Sequence, residues 1–164
     1  MNRVGVFQKV SLEQFEKDCN GLPEAVRNAW SRILLPERAT AGSAGYDFRV
    51  PYDIYLEPGK SLTFPTGIRA VIDEGWCLQC FPRSGLGFRY KLRLANTVGI
   101  IDSDYYFSEN EGHIMAKIAV EGDKSVTLKA GERFMQGIFI PYGITYTDKA
   151  TEARNGGFGS TGTV

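Results

Sequence analysis

Short runs of β-branched and aromatic residues recur along most of this chain, separated by clusters of turn-forming residues. The separating clusters EPG, DEG, EGDK and KAGE are typical of turns. Strands of this length with turns at this spacing predict an all-β, compact jelly-roll-like sandwich or barrel. The expected strands are YDIYL (52–56), SLTF (61–64), GIRAVI (67–72), WCLQCF (76–81), HIMAKIAV (113–120), SVTL (125–128) and FMQGIFI (134–140).

The N-terminal region departs from this pattern. After a strand expected near residues 3–10, SLEQFEKD opens with Ser11 and has Gln14 three residues later, as in a capping box. PEAVRNAW begins with Pro23, which suits the first turn of a helix. We predict one or two short helices within residues 11–31, covering a sheet edge or a barrel end.

Length and charge narrow the classes of function. The chain has 164 residues, which predicts a single domain spanning residues 1–164. Its 19 Lys and Arg residues balance 19 Asp and Glu residues, whereas proteins that bind duplexes usually carry a basic surplus. We therefore expect no nucleic-acid partner, although a few local cations would suffice for a small polyanionic ligand.

Hydropathy and cysteine content suggest a compartment. The sequence has no run of about eighteen apolar residues, so we expect no membrane association. Its start becomes charged too early for a signal peptide, and three cysteines predict no disulfide framework, so a cytoplasmic location is the default. Cys77 and Cys80 form a CxxC on a predicted strand, where residues three apart point to opposite faces. We interpret them as packed cysteines rather than a zinc site.

Two glycine-containing stretches carry groups that could contact phosphate or metal. AGSAGYDF surrounds one carboxylate, Asp47, with small residues, and a tight turn with a capping aspartate is the alternative interpretation. PRSGLGF sets Arg83 and Ser84 beside backbone opened by Gly85, and such a loop can hold phosphate oxygens. It lacks the GxxxxGK[ST] pattern of a P-loop, so a plain inter-strand loop fits it equally well.

The stretch NTVGIIDSDYY carries two carboxylates, Asp102 and Asp104. On an extended strand both would point to one face. Hydrolysis needs a base that orients and deprotonates water. Because His113 is the only histidine and no Ser/His/Asp or Cys/His arrangement is visible, a carboxylate base is favoured over a nucleophilic triad. A turn with two solvated aspartates is the alternative.

The C-terminal arm, about residues 150–164, ends in the glycine-rich sequence RNGGFGSTGTV. Such an arm could fold over a ligand and exclude water. Phe158 could stack on a planar base, which contributes on the order of 1–3 kcal/mol. Arg154, Ser160 and Thr161 could bind phosphates. The alternative is a disordered terminus.

Together, AGSAGYDF, PRSGLG, NTVGIIDSDY, GERFMQ and GGFGSTG resemble the five ordered motifs of the trimeric deoxyuridine triphosphatases (dUTPases), from about Leu35 to the C-terminus. The resemblance implies a homotrimer whose active sites are shared between subunits, each closed by one chain's arm. It implies hydrolysis of dUTP to dUMP and pyrophosphate, with Mg²⁺ on the triphosphate. This reaction limits uracil incorporation into DNA and supplies dUMP for thymidylate synthesis.

The resemblance also implies roles for individual residues. Asp102 would be the base that activates water for attack at the α-phosphorus, with Asp104 as a structural neighbour. Tyr105 would pack against the deoxyribose and exclude a 2′-hydroxyl, Phe158 would stack on the uracil, and Asp47 would reach Mg²⁺ through water. The uracil edge would be read by Asn96 and by backbone groups around Gly99, Ile100, Ile101 and Met115. The phosphates would be held by Arg83, Ser84, Gly85, Gln136, Arg154, Ser160 and Thr161.

Three features depart from the family pattern. Arg154 precedes Phe158 by four residues, where the family usually has five. Residues 106–111, YFSENE, stand where family members usually have a residue or two. The helical stretch before Leu35 is longer than usual, and the sequence assigns it no function.

Two other functions compete with this interpretation. The dCTP deaminases share the fold but need a glutamate base, and counting from Gly112 puts Lys117 in that place. A non-catalytic binding module could use the N-terminal helices or residues 106–111 for protein contacts. A binding module would have no need of Asp102, and a deaminase would need a glutamate where Lys117 stands. Hydrolysis is therefore favoured over both alternatives.

Overall fold

The computed structural model describes residues 1–152 of the chain, which fold mainly into β-strands. The strands are β1 (Gly5–Lys9), β2 (Glu37–Arg38), β3 (Tyr46–Arg49), β4 (Ile54–Leu56), β5 (Ser61–Pro65), β6 (Ile68–Ile72), β7 (Trp76–Pro82), β8 (Leu92–Leu94), β9 (Gly99–Ile101), β10 (Met115–Val120), β11 (Val126–Leu128) and β12 (Arg133–Pro141). The helices are α1 (Leu12–Asp18), α2 (Pro23–Arg32), α3 (Ser84–Tyr90) and a 3₁₀ helix (Ser103–Phe107). Every strand expected from the sequence is present, which confirms the all-β class.

Antiparallel pairing joins these strands into sheets. Within the described part of the chain, the largest sheet has the order β2-β3-β12-β7-β9 and a second has the order β5-β10-β8. Two-stranded sheets join β1 to β6 and β11 to β4. The long strand β12 lies between β3 and β7, so it brings three of the sequence motifs side by side.

One apolar core connects the sheets. Alternation along each strand turns every second side chain inwards, and the helices add Phe15 from α1 and Val26 from α2. Burying each such large side chain stabilises the fold by about 1.5–3 kcal/mol. The largest fully buried side chains are Phe15, Phe48, Phe64, Phe134, Leu78, Leu92, Ile114, Ile118 and Met135.

The predicted N-terminal helices are present, but the capping box is incomplete. The hydroxyl of Ser11 accepts a hydrogen bond from the Gln14 N–H at 3.0 Å, as predicted. The Gln14 side chain turns away and donates to Asp18 at 2.8 Å. The Ser11 N–H instead donates to the Glu111 carboxylate at 2.8 Å. Glu111, from the additional segment 106–111, therefore supplies the second capping hydrogen bond at the N-terminus of α1.

Local structure differs from the sequence interpretation at three motifs. Asp47 lies on β3 rather than in a turn. PRSGLGF is not a loop, because Arg83 precedes the first turn of α3. Asp102 and Asp104 do not share an extended strand, since β9 ends at Ile101 and Asp104 lies in the first turn of the 3₁₀ helix.

The cysteines of the CxxC are both buried as free thiols on β7, as the packed-cysteine interpretation requires. None of the helices in residues 1–152 is both long and apolar enough to cross a lipid bilayer.

Candidate active site

A cavity of about 450 Å³ lies where the three-stranded and five-stranded sheets meet. Four residues predicted to read the uracil edge line it, namely Asn96, Gly99, Ile101 and Met115. The side chain of Ile100 points to the other side of β9 and is 56% exposed, so it is not part of the cavity wall. The structure thus brings most of the predicted base-binding residues together.

The rest of the cavity wall is mainly apolar and was missed by the sequence analysis. A Cβ at position 99 would approach the Cys80 Cβ to 3.3 Å, so Gly99 allows β9 to lie close to β7 at this part of the wall. Burial raises the pKa of the Cys80 thiol to about 12, so this part of the wall is neutral. A mainly apolar pocket with a few polar groups suits a flat heterocyclic ligand. The remaining lining residues are Thr63, Cys80, Leu94, Ala95, Ile114, Ala116, Lys117 and Met135.

A second group of predicted residues gathers around Asp47 on β3. Its carboxylate contacts the Arg83 guanidinium at 3.2 Å and the Arg133 guanidinium at 3.0 Å. Gln136 lies opposite Asp47 in the β3–β12 pairing. Ser84 and Gly85 are exposed in the first turn of α3, directly after Arg83. These residues form a cationic and polar cluster that suits phosphate oxygens.

Arg133 was missed by the sequence analysis, although it belongs to the quoted motif GERFMQ. Register shifts between Arg133 and Met135, so the buried residues Phe134 and Met135 both face the interior. The partly exposed Arg133 and Gln136 then lie towards Asp47. A cation in the motif that carries Gln136 was the available signal.

The cavity and the Asp47 cluster lie on different sides of the five-stranded sheet. Met135 lines the cavity, whereas its neighbour Gln136 is aligned with Asp47. Successive side chains on a strand point to opposite faces. Within residues 1–152, the cavity and the Asp47 cluster therefore do not open into a single cleft of one chain.

Asp102 and Tyr105 follow the cavity wall directly. Asp102 is exposed immediately after Ile101, at the start of the 3₁₀ helix. Tyr105 is only 3% exposed, and its hydroxyl donates to the His113 carbonyl at 2.8 Å. Contact with a sugar is therefore limited to a small part of the Tyr105 ring. The residues Arg154, Phe158, Ser160 and Thr161 lie outside the described part of the chain.

Comparison with known proteins identifies this set of motifs. The dUTPase family model matches residues 31–162, well over half of the chain. The chain belongs to the dUTPase family. Residues 1–30, with β1, α1 and most of α2, precede the match, whereas the cavity and the Asp47 cluster lie within it.

Curated dUTPases from bacteria resemble this chain along most of their length. The deoxyuridine 5'-triphosphate nucleotidohydrolase of Lactococcus lactis is 39% identical over 133 residues, which cover 79% of this chain and 89% of that protein. The enzyme of the same name from Tolumonas auensis is 40% identical over 136 residues, covering 78% and 87%.

Solved dUTPase structures share the fold. The dUTPase of Streptococcus mutans superimposes with a TM-score of 0.66 at 36% identity, covering 85% of this chain and 97% of that one. A dUTPase of Staphylococcus bacteriophage 80alpha reaches a TM-score of 0.60 at 21% identity, covering 74% and 92%, and supports the fold alone. The jelly-roll-like architecture expected from the sequence is therefore confirmed.

Proposed function

We propose that this dUTPase-family chain hydrolyses dUTP to dUMP and pyrophosphate, with Asp102 as the general base that activates water for attack at the α-phosphorus. The observation that carries the proposal is the cavity lined by Asn96, Gly99, Ile101 and Met115, which is followed directly by an exposed carboxylate. Asp102 follows directly after Ile101, the last residue of β9, which is paired with β7, and this position suits in-line orientation of water.

Recognition of uracil would combine the cavity's shape with a few polar groups. Asn96 would offer its side-chain amide to the ring edge, and backbone groups of β9 and Met115 would complete the contacts. The cavity walls are mainly apolar, so an unmatched polar edge of another base would find few partners there. The small volume beside Gly99 would leave no room for the methyl group of thymine.

Selection of a deoxyribose would depend on Tyr105. Its ring is held by burial and by the hydrogen bond to the His113 carbonyl, so it cannot easily withdraw from an added hydroxyl. A 2′-hydroxyl pressed against this ring would lose its water without gaining a partner. UTP would therefore be rejected by steric and desolvation costs.

The phosphate chain would contact the Asp47 cluster. Arg83 would supply charge, while Ser84, Gly85 and Gln136 would supply hydrogen bonds to phosphate oxygens. Arg133 joins this set because it shares the Asp47 carboxylate with Arg83. These groups are positioned before substrate arrives, as electrostatic stabilisation of developing charge requires.

Magnesium fits this site as part of the substrate. Residues 1–152 contain no group of three or more His, Cys, Asp or Glu residues placed to hold a metal ion. Mg²⁺ in proteins usually binds one or two carboxylates together with substrate phosphates and waters. Asp47 would reach the hydration shell of an ion carried by the triphosphate, and the ion would offset charge on the phosphate oxygens.

A homotrimer with shared sites would join the two halves of the site. The cavity and the Asp47 cluster lie on different sides of one sheet, so a complete site needs groups from a neighbouring chain. Exposed apolar side chains at Leu34, Ile144 and Tyr146 could be covered by subunit contacts. Sedimentation equilibrium should give three times the chain mass of 18.2 kDa, and a monomer mass would contradict the shared site.

The arm after residue 150 would close the site, with Phe158 on the uracil and Arg154, Ser160 and Thr161 on the terminal phosphates. Deletion of residues 154–164 should reduce turnover severely while leaving the trimer folded. Full activity of the truncated protein would contradict this role.

Pyrophosphate release from dUTP with Mg²⁺ tests the function as a whole. The proposal predicts stoichiometric dUMP and pyrophosphate from dUTP and much slower reaction with UTP and dTTP. No release at high protein concentration would overturn hydrolysis and favour a binding module. Ammonia release from dCTP would instead indicate a deaminase, although Lys117 stands in the cavity where that chemistry needs a glutamate.

A further inference from the structure

The two segments that depart from the family pattern contact each other. Residues 1–30, with α1 and most of α2, precede the family match, and residues 106–111 form the additional segment after Tyr105. The Glu111 carboxylate accepts from the Ser11 N–H at 2.8 Å and from the Ser11 hydroxyl at 2.6 Å. The Tyr106 hydroxyl contacts the Gln8 amide oxygen at 3.0 Å. The two departures therefore form one structural unit.

His113 lies at the centre of this unit. Its ring is completely buried, and Nε2 accepts a hydrogen bond from the Gly67 N–H at 2.8 Å. Because Nε2 is the acceptor, the proton of the neutral ring is on Nδ1, which donates to the Asp18 carboxylate at 2.5 Å. Asp18 also accepts from Gln14 at 2.8 Å. The end of α1 therefore fixes the orientation of the His113 ring.

The backbone of His113 in turn holds Tyr105. The Tyr105 hydroxyl donates to the His113 carbonyl at 2.8 Å and accepts from the Asn110 amide at 2.9 Å. The same amide reaches the His113 carbonyl at 3.3 Å, and the His113 N–H donates to the Asn110 carbonyl at 3.0 Å. Ile114 and Met115 of the cavity wall follow directly.

We propose that Asn110 and the Asp18–His113 pair are positioning residues that fix the Tyr105 ring and thereby set the preference for deoxyribose over ribose. The proposal rests on the proposed function, in which Tyr105 contacts the sugar. It also gives the helical extension and the additional segment a role, since each supplies one of the residues that restrain Tyr105. None of the three belongs to the proposed substrate contacts, so each acts through Tyr105.

A double-mutant cycle that measures selectivity for dUTP over UTP tests the contribution of Asn110. Asn110→Ala should lower the dUTP-to-UTP ratio of kcat/KM about ten-fold, the effect expected for the loss of its hydrogen bond to Tyr105, and Tyr105→Phe, which loses both hydrogen bonds of the hydroxyl, should lower it at least as much. The double variant should lose no more than Tyr105→Phe alone, because both changes remove the same restraint. Wild-type selectivity in Asn110→Ala, or additive losses in the double variant, would overturn the proposal.

A separate pair of variants tests the contribution of Asp18 to the position of Tyr105. Asp18→Ala should lower selectivity as Asn110→Ala does, whereas Asp18→Asn keeps an acceptor for His113 Nδ1 and should retain most of it. Equal selectivity in the two Asp18 variants would contradict a positioning role. These variants also test the proposal if Asn110→Ala does not fold.

Binding measurements separate this proposal from the proposed function. Calorimetry with non-hydrolysable analogues of dUTP and UTP reads the same selectivity without turnover. A wild type that binds the dUTP analogue selectively but releases no pyrophosphate would contradict the proposed function alone. Unchanged analogue selectivity in Asn110→Ala and Asp18→Ala would contradict the positioning role alone.

Discussion

At the scale of single residues, Asp47 has a structural part as well as its proposed contact with magnesium. It is mostly buried and faces two guanidinium groups, those of Arg83 and Arg133. Without this carboxylate the two guanidinium groups would lie close together with no anion between them. The small neighbours of Asp47 marked it in the sequence, and the motif GERFMQ offered Arg133 as a nearby cation. Its contact with Asp47 could not be predicted, because the bulge in β12 determines the direction of the Arg133 side chain.

Asp47→Asn should therefore affect both stability and metal dependence. We expect the free energy of unfolding to fall by about 1–2 kcal/mol, less than for a fully buried pair because both guanidinium groups are partly exposed. Turnover should need more Mg²⁺ to reach half its maximum. Urea denaturation and a magnesium titration of pyrophosphate release measure the two effects.

Asp53→Asn is the matched control, since Asp53 forms an exposed ion pair with Lys129 at 2.7 Å and is not among the predicted site residues. It should leave the magnesium dependence unchanged. If Asp47→Asn showed the same stability and magnesium dependence as this control, the structural and metal roles of Asp47 would both be wrong.

His113 should make stability depend on pH. Burial lowers the pKa of His113 below its ordinary value of 6.5, while Asp18 acts in the opposite direction with a smaller effect. The charged groups around it are Asp18 on α1 and Glu111, which pairs with Arg69 on β6 at 3.8 Å. Because the folded pKa is the lower one, the unfolded chain binds more protons as pH falls below 6.5.

The free energy of unfolding should therefore decrease below pH 6.5 in the wild type. His113→Gln has no titratable group at this position and should lose that part of the pH dependence. Urea denaturation between about pH 7.5 and pH 5.5 spans the ordinary pKa of histidine. Parallel pH profiles for the two proteins would show that His113 is not responsible.

At the scale of elements, the long strands were predictable, as were the three-residue strands β4 and β11, whereas β2 and β9 were missed. β7 and β12 show their branched and aromatic residues over seven and nine residues, whereas β2 has only two residues and β9 only three. The helix α3 was missed because glycines at 85 and 87 disfavour a helix. The contact of Ser11 with Glu111 joins segments 100 residues apart, which no local pattern reveals.

The turn that returns the additional segment to β10 depends on Gly112. Its φ is +69°, and a Cβ there would lie 2.7 Å from the Tyr106 Cα and 2.8 Å from the Tyr105 carbonyl oxygen. Gly112→Ala should lower the free energy of unfolding by about 3 kcal/mol or more, because it adds a backbone clash to the conformational strain. Thermal and urea denaturation measure this loss.

Gly131→Ala is the matched comparison, with φ of +85° and open space around the missing Cβ. It should lower the free energy of unfolding by only about 1–2 kcal/mol, the cost of the left-handed conformation itself. Equal losses in the two variants would mean that the additional segment does not pack tightly against Tyr105 and Tyr106.

At the scale of the whole molecule, the motifs predicted the parts of the site better than their arrangement. Asn96, Gly99, Ile101 and Met115 meet at one cavity, although they come from two strands and a loop. The division between this cavity and the Asp47 cluster follows from side-chain alternation on β12, and it could be seen only once the strands were paired. The proposed site shared between subunits would account for both halves.

The most direct test of the account is turnover by Asp102→Asn, measured as pyrophosphate release beside binding of dUTP. We predict that binding stays close to that of the wild type while turnover falls by a factor on the order of 10²–10⁴ or more, the contribution of a positioned base. Asp104→Asn, two residues away, should keep most of its activity. Wild-type turnover in Asp102→Asn would contradict the assignment of Asp102 as the base.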